Sequence, residues 1–150
     1  MGLIAITSLL ALGGLYLIIA FAWWVLQIVA NWRIFEKAGE AGWKSIIPVY
    51  SDYVSYRIAW QTSYFWLTFI FGIISSCITQ FANPDGSSFL LTALVSLIRL
   101  ATAVISILYS VKLAKAFGRG IGFAIGLIFL GPIFLLILGF GDDKYYGADR

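Results

Sequence analysis

The stretch GIGFAIGLIFLGPIFLLILGFG (residues 120–141) decides the fold, because it is apolar apart from its glycines and carries no charge. Residues 1–32 and 58–84 are also free of charged side chains, and residues 86–111 contain only Arg99. A helix that crosses the hydrocarbon core of a bilayer needs roughly 20 apolar residues. The sequence therefore predicts an all-α, polytopic membrane protein with four transmembrane helices, at about 3–30, 60–82, 89–111 and 120–140.

The composition supports the same class of protein. Hydrophobic residues make up 61 % of the chain and charged residues 11 %, whereas a soluble domain has about 25 % charged residues. The net charge of +3 is explained by basic residues that flank apolar segments, so membrane lipids are the expected partner and nucleic acid is not. Histidine is absent and Cys77 is the single cysteine. A Cys/His metal site within one chain is therefore excluded, and no cofactor is expected.

The predicted helices use most of the 150 residues, so we expect one membrane domain over residues 1–150. In the connection 31–59, apolar side chains recur at helical spacing between Trp43 and Val54, with Pro48 as a possible interruption. This pattern predicts a short helix at about 43–58 that lies in the membrane interface, and a re-entrant segment is the alternative. Aromatic residues collect at the headgroup level, and the expected interfacial anchors are Trp32, Trp43 and Tyr50.

The distribution of basic residues predicts how the chain is threaded through the membrane. The connections 31–59 and 112–119 hold seven of the ten lysines and arginines. With four spans, these two connections lie on the same side of the membrane. The positive-inside rule places them in the cytoplasm and both termini outside.

Arg99 stands near the middle of the third predicted span, where insertion scales assign an arginine a cost of about 2.5–3.5 kcal/mol, so it should face protein or water. It shares one helix face with small and hydroxyl residues, because the spacing of the row is 4-3-4-3-4. Such a row favours close packing and hydrogen bonding between helices. Three roles are open: locking the bundle through hydroxyls and carbonyls, contact with an anion, lipid or partner subunit, and transport. The row consists of Thr92, Ser96, Arg99, Ala103, Ser106 and Ser110.

Glycines recur at intervals of four around the start of the last predicted span. Gly118, Gly122 and Gly126 form a small-xxx-small pattern that favours close packing, within the chain or between two copies. The pair Gly131-Pro132 removes a backbone donor and predicts a bend in this helix.

Catalysis is not expected from this sequence. Without histidine the remaining possibility is a Ser–Lys pair, and no lysine outside the C-terminal tail has a serine in an informative motif. We therefore predict no catalytic residues.

Two stretches resemble a family of small bacterial membrane proteins of unknown function. The first runs from Trp32 to Gly39 and on from Gly42 to Tyr50, and the second runs from Leu113 to Gly120 and continues to Tyr145. A similar module precedes the peptidase domain of some proteins labelled signal peptidase I. The resemblance implies a multi-pass protein of the bacterial inner membrane, and it carries no catalytic residues.

The leading expectation for function is a non-enzymatic accessory or scaffolding module that packs against lipids, other membrane-protein subunits or a second copy. The first alternative is a small oligomeric transporter or channel for an anion or anionic substrate, organised around Arg99. The second alternative is a peptidase-associated membrane module.

Overall fold

The computed structural model describes residues 2–82 and 84–148, with side chains described from Leu12 onward, and these residues contain no β-strand. Its five α-helices are α1 (Gly2–Lys37), α2 (Pro48–Ala59), α3 (Thr62–Cys77), α4 (Phe89–Ala116) and α5 (Ile121–Phe140). A 3₁₀-helix, Gly42–Ile46, precedes α2, and a π-helical turn, Ile78–Ala82, extends α3.

The predicted all-α class is confirmed, and four segments are long and apolar enough to cross a membrane by length and composition. These candidate spans are Leu12–Lys37, Thr62–Ala82, Phe89–Ala116 and Ile121–Phe140.

Glycine and proline set the boundaries of the first connection. The helix α1 continues past the predicted end at residue 30 and stops where Gly39 adopts a φ of 77°, with the amide of Glu40 donating to the carbonyl of Phe35 at 2.8 Å. Pro48 occupies the first turn of α2, where its missing N–H leaves no helical hydrogen bond unmade. Pro48 therefore begins α2, and the segment predicted at 43–58 is interrupted just before it, where Ile47 is extended between the 3₁₀-helix and α2.

The buried core lies at one end of the molecule, where α1, α4 and the two ends of α5 meet α2. Phe35, Phe117 and Leu138 are among its most deeply buried side chains. We call this cluster the loop-end core, because the connections 38–47 and 117–120 adjoin it. It comprises Ile34, Phe35, Val54, Ile58, Ala59, Leu113, Ala114, Ala116, Phe117, Ala124, Leu127 and Leu138.

The helix α5 folds back on itself. Leu130 has a φ of −129° and a ψ of 40°, outside the helical range, and Pro132 follows two residues later. The rings of Phe123 and Phe134 have centroids 5.0 Å apart, although eleven residues of continuous helix would separate them by about 16 Å along the axis. The segment is therefore a helical hairpin with a first half at 121–129 and a second half at 131–140.

Both ends of this hairpin lie at the loop-end core. The guanidinium of Arg119, just before α5, contacts the carboxylate of Asp143, just after it, at 2.8 Å. The amide of Tyr146 donates to the carbonyl of Ala116 at 2.8 Å. Each half of the hairpin rises about 14 Å, close to half of a hydrocarbon core of about 30 Å.

The predicted bend at Gly131-Pro132 is present, but it is sharp enough to turn the expected single helix at 120–140 into a hairpin. It also separates the two chain ends. The beginning of α1 lies roughly 50 Å along the helix from Lys37, whereas the C-terminal tail (141–148) lies against the loop-end core.

The hairpin predicts a short distance between positions that a straight helix would hold far apart. In a Cys77→Ala background, spin labels at Gly120→Cys and Asp142→Cys should lie much closer than the roughly 33 Å expected for 22 residues of continuous helix. The control pair, Leu90→Cys and Lys112→Cys, is also 22 residues apart but lies on the continuous helix α4. Pulsed electron paramagnetic resonance measures both distances, and equal long distances would contradict the hairpin.

Candidate functional site

Arg99 lies on an exposed face of α4 and lines a cleft of about 190 Å³ beside the turn that joins α3 to α4. Side chains in a helix lean toward its N-terminus, and the N-terminus of α4 is at this turn. The cleft also contains Thr79, Thr92 and Ser96. Its polar lining therefore combines one guanidinium, a donor suited to the oxygens of an anion or of a protein carbonyl, with three hydroxyl groups. The hydroxyls of Thr79 and Ser96 already donate to the carbonyls of Ser75 and Thr92.

No hydrogen bond or ion pair joins Arg99 to any residue that the structure describes. The hydroxyls of Ser96 and Ser106 donate to the carbonyls of Thr92 and Thr102 in their own helix, at 2.8 and 2.9 Å. The expected locking of the bundle by this row is therefore not present within the described chain.

The spacing of the row correctly groups its residues, but the row is not buried against another helix of this chain. Thr92, Ser96, Arg99 and Ser106 are exposed, while Val95 and Ile105 are buried. Only the first part of the row lies beside another segment, where the cleft brings it near Thr79 at the end of α3. We call the exposed row Thr92–Ser96–Arg99–Ala103–Ser106 the polar face of α4.

A second polar group lies in a larger groove of about 560 Å³ between α2 and α3, which we call the Asp52 groove. Asp52 and Tyr56 enter it from α2, and Thr68, Gly72 and Ser76 enter it from α3. Burial raises the pKa of Asp52 above its ordinary value. Burial also raises the pKa of Tyr56, opposed by a hydrogen bond with Thr68 and reinforced by the charge of Asp52.

The three glycines of the small-xxx-small pattern have different environments and do not form one packing face. Gly118 follows α4 with a φ of 67° and adjoins the ring of Tyr146, so it terminates a helix. Gly122 has no atom within 4 Å of the position where a Cβ would stand. Gly126 packs against Phe134 of the second half of the hairpin. Only the contact of Gly126 is helix packing, and it is internal to α5.

The predicted interfacial anchors lie near the loop-end core. The indole N–H of Trp32 donates to Glu36 at 2.6 Å, and its ring covers Gly42. Trp43 stacks on Tyr50 with ring centroids 6.4 Å apart, and Tyr50 stacks on Tyr53 at 6.0 Å. Trp43 and Tyr50 are exposed at this end of the molecule, an arrangement that suits the headgroup level of a membrane.

Comparison with known proteins identifies the family. Residues 43–148, more than half of the chain, match DUF5684, a family of unknown function. The chain belongs to DUF5684. No curated protein and no solved structure matches it. The DUF5684 match covers α2 to α5 and the C-terminal tail. It therefore includes Arg99 on α4, a residue that lies outside the two stretches quoted for the resemblance.

The sequence does not predict several residues that build or support the site in this DUF5684 chain. Asp52 is not among the site residues that the sequence predicts. Lys37 donates to the carbonyls of Leu138 and Gly141 at 2.6 and 2.7 Å, and so joins α1 to the end of the hairpin. The hydroxyl of Tyr145 donates to the carbonyl of Ile58 at 2.9 Å. These pairs are separated by 87 to 104 positions, so no local pattern signals them.

Gly139 allows α5 to pack closely against the backbone of α1 in this DUF5684 chain. A Cβ at this position would stand 2.7 Å from the carbonyl oxygen of Ala30, which belongs to the backbone of α1 and has little freedom to move. Gly139→Ala should therefore destabilise the protein by about 1–3 kcal/mol. The matched control is Gly122→Ala, which meets no atom within 4 Å and should be neutral or stabilising by up to about 1 kcal/mol. Thermal unfolding in detergent compares the two, and an equal effect would argue against this close approach of α5 to α1.

Proposed function

We propose that this chain is a non-enzymatic accessory module of the membrane, which associates with a helix of another membrane protein through the polar face of α4. The observation that carries the proposal is that Arg99 is exposed and makes no hydrogen bond or ion pair with the described residues. An arginine within a span is costly unless protein, water or an anionic group covers it.

The rest of the polar face suits a partner helix. The hydroxyls of Ser96, Ser106 and Ser110 are occupied by carbonyls of α4 itself, so the face presents small side chains without unsatisfied donors. Small residues allow the backbones of two membrane helices to approach closely. The guanidinium would then add a charge-assisted hydrogen bond to a carboxylate or carbonyl of the partner.

The helix α1 offers a second uncovered surface. Its side chains from Leu12 to Leu26 are all exposed, including Tyr16 at 71 % and Phe21 at 64 %. Lipid solvates such apolar side chains well, so this surface alone does not require a partner. It leaves room for a larger assembly around the module.

The Arg99 prediction separates association from folding. Because Arg99 makes no contact that holds the described chain together, Arg99→Leu should leave the unfolding temperature in detergent unchanged. A photo-crosslinking residue at Ala103, on the polar face, should form an adduct with a partner protein in native membranes, and Arg99→Leu should reduce that adduct several-fold. The control position, Leu97, is 65 % exposed but lies off the polar face. Equal adducts from Ala103 and Leu97, or an adduct unaffected by Arg99→Leu, would contradict the proposal.

The composition of the cleft favours one alternative, an oligomeric pathway for an anion. The guanidinium of Arg99 is a charged donor that also suits a small anion, and it lies beside the hydroxyl side chains of Thr79, Thr92 and Ser96. Anion flux in proteoliposomes that Arg99→Gln abolishes would support this pathway over the accessory module. Association with a signal peptidase I domain stays a prediction from the resemblance.

We further propose that the protein resides in a bacterial inner membrane with the loop-end core on the cytoplasmic side. Four basic residues of the first connection and three of the second adjoin this end, as the positive-inside rule requires. Since the C-terminal tail packs against the same end, we place the C-terminus in the cytoplasm and the N-terminus outside. This assignment replaces the expectation that both termini lie outside.

Labelling of single cysteines tests this topology. In a Cys77→Ala background, Lys144→Cys in the tail should behave like Lys115→Cys in the second connection and resist a membrane-impermeant maleimide in intact cells. Asp85→Cys, in the turn between α3 and α4, should be labelled. If Lys144→Cys were labelled together with Asp85→Cys, the last helix would cross the membrane and the topology would be wrong.

A further inference from the structure

The Asp52 groove holds a carboxyl group that has no cationic partner among the residues the structure describes. Asp52 lies on the exposed side of α2 and takes part in no described ion pair or hydrogen bond. The nearest arginine along the helix, Arg57, pairs with Glu40 at 3.4 Å and lines a different pocket. The charge of Asp52 is therefore open to a group from outside the chain.

The groove is polar at one end and mainly apolar along its length. Asp52, Tyr56 and Thr68 form the polar end, and Phe69, Gly72 and Ile73 continue along α3 toward Cys77. The helix α3 begins at the loop end, so the polar end lies nearer to the predicted headgroup level than Cys77 does. The rise from Thr68 to Cys77 is about 13 Å, similar to the depth of one leaflet of a hydrocarbon core about 30 Å thick.

Gly72 keeps the apolar part of the groove open. No atom lies within 4 Å of the position where its Cβ would stand, and the neighbouring side chains Phe69 and Ile73 are exposed at 38 % and 50 %. The groove of about 560 Å³ thus has room for a hydrocarbon chain that lies along α3.

We propose that the Asp52 groove binds one phospholipid whose headgroup carries a primary amine, phosphatidylethanolamine, from the leaflet that faces the loop end. The ammonium group donates hydrogen bonds to the carboxylate of Asp52, and one acyl chain lies along α3 past Gly72. A charge-assisted hydrogen bond between ammonium and carboxylate is stronger than a neutral one. A choline headgroup has no N–H to donate, and the carboxylate repels a headgroup with net negative charge.

The electrostatic state of Asp52 agrees with this ligand. Burial raises the pKa of its carboxyl, which means that the site solvates a negative charge poorly. An ammonium group in the groove compensates that charge. The neighbouring hydroxyl of Tyr56 offers a further acceptor at the same end of the groove.

The lipid site and the proposed function use different surfaces. The polar face of α4 carries Arg99, whereas the Asp52 groove is lined by α2 and α3. Binding of phosphatidylethanolamine should therefore persist in Arg99→Leu, and crosslinking from Ala103 should persist in Asp52→Asn. If one proposal fails its test, the other proposal is still decided by its own measurement.

Native mass spectrometry of the purified, delipidated full chain tests the headgroup. Titration with dioleoyl phosphatidylethanolamine, phosphatidylcholine and phosphatidylglycerol should show about tenfold tighter binding of the amine lipid, a difference of about 1.4 kcal/mol. Asp52→Asn should lower its affinity to that of phosphatidylcholine. The control variant Asp85→Asn removes an acid from the turn at the far end of α3 and should leave the preference unchanged.

A second pair of variants tests the acyl chain. Gly72→Leu fills open space, so the protein should fold normally, and it should weaken binding of the amine lipid at least severalfold. Gly14→Leu fills equally open space on α1 and should have no effect. The proposal is overturned if the three lipids bind alike, if phosphatidylglycerol binds best, if Asp52→Asn keeps the preference for the amine lipid, or if Gly72→Leu binds it as tightly as Gly14→Leu does.

Discussion

The fold depends on a constraint that lipid imposes on a broken helix. Where a helix bends within the hydrocarbon region, its freed backbone groups cannot bond to water, and each unsatisfied group costs several kcal/mol. In this chain the bend at Leu130 is covered by a side chain of α1 and by a ring of α5 itself. The side-chain amide of Gln27, on α1, donates to the carbonyl of Pro132 at 3.1 Å, and Phe134 folds over Gly126. The helix α1 thus contacts the hairpin near its bend, and both ends of the hairpin are held at the loop-end core.

This arrangement explains why the molecule is uneven along its length. At the loop end, four helices contribute deeply buried side chains such as Phe35, Phe117 and Leu138, and Tyr145 of the tail packs against them. Toward the other end, α1 has exposed side chains on every face, and α3 and α4 contact chiefly each other. A membrane protein tolerates this unevenness because lipid solvates apolar side chains as well as protein does. The exceptions are the charged groups Arg99 and Asp52, which lie on separate surfaces and for which the described chain supplies no countercharge.

The sequence predicted the helices well because charge-free runs and turn residues are local signals. It predicted the bend at Gly131-Pro132 but not its extent, since the extent is set by pairs such as Arg119 with Asp143 that lie 24 positions apart. The positive-inside count placed the two basic connections together, and the parity of spans put the C-terminus on the opposite side from them. The hairpin instead brings the C-terminal tail back to the loop-end core. The spacing of the Arg99 row showed which residues share a face. Periodicity does not report which face turns inward, because aliphatic side chains such as Leu97 and Leu100 are exposed on α4 as well.

The contact between Gly139 and Ala30 has a consequence for how the family domain is completed. The match to DUF5684 starts at residue 43, after α1 has ended. Even so, the end of the hairpin contacts α1 in two ways. Gly139 lies against the backbone of α1, and the carbonyls of Leu138 and Gly141 accept hydrogen bonds from the amine of Lys37. The part of this chain that matches the family thus provides a surface on which one additional helix packs, and this surface restricts which side chains that helix can carry. In α1 the residue at the crossing is the fully buried Ala30, and the long amine of Lys37 follows seven positions later, two helical turns onward.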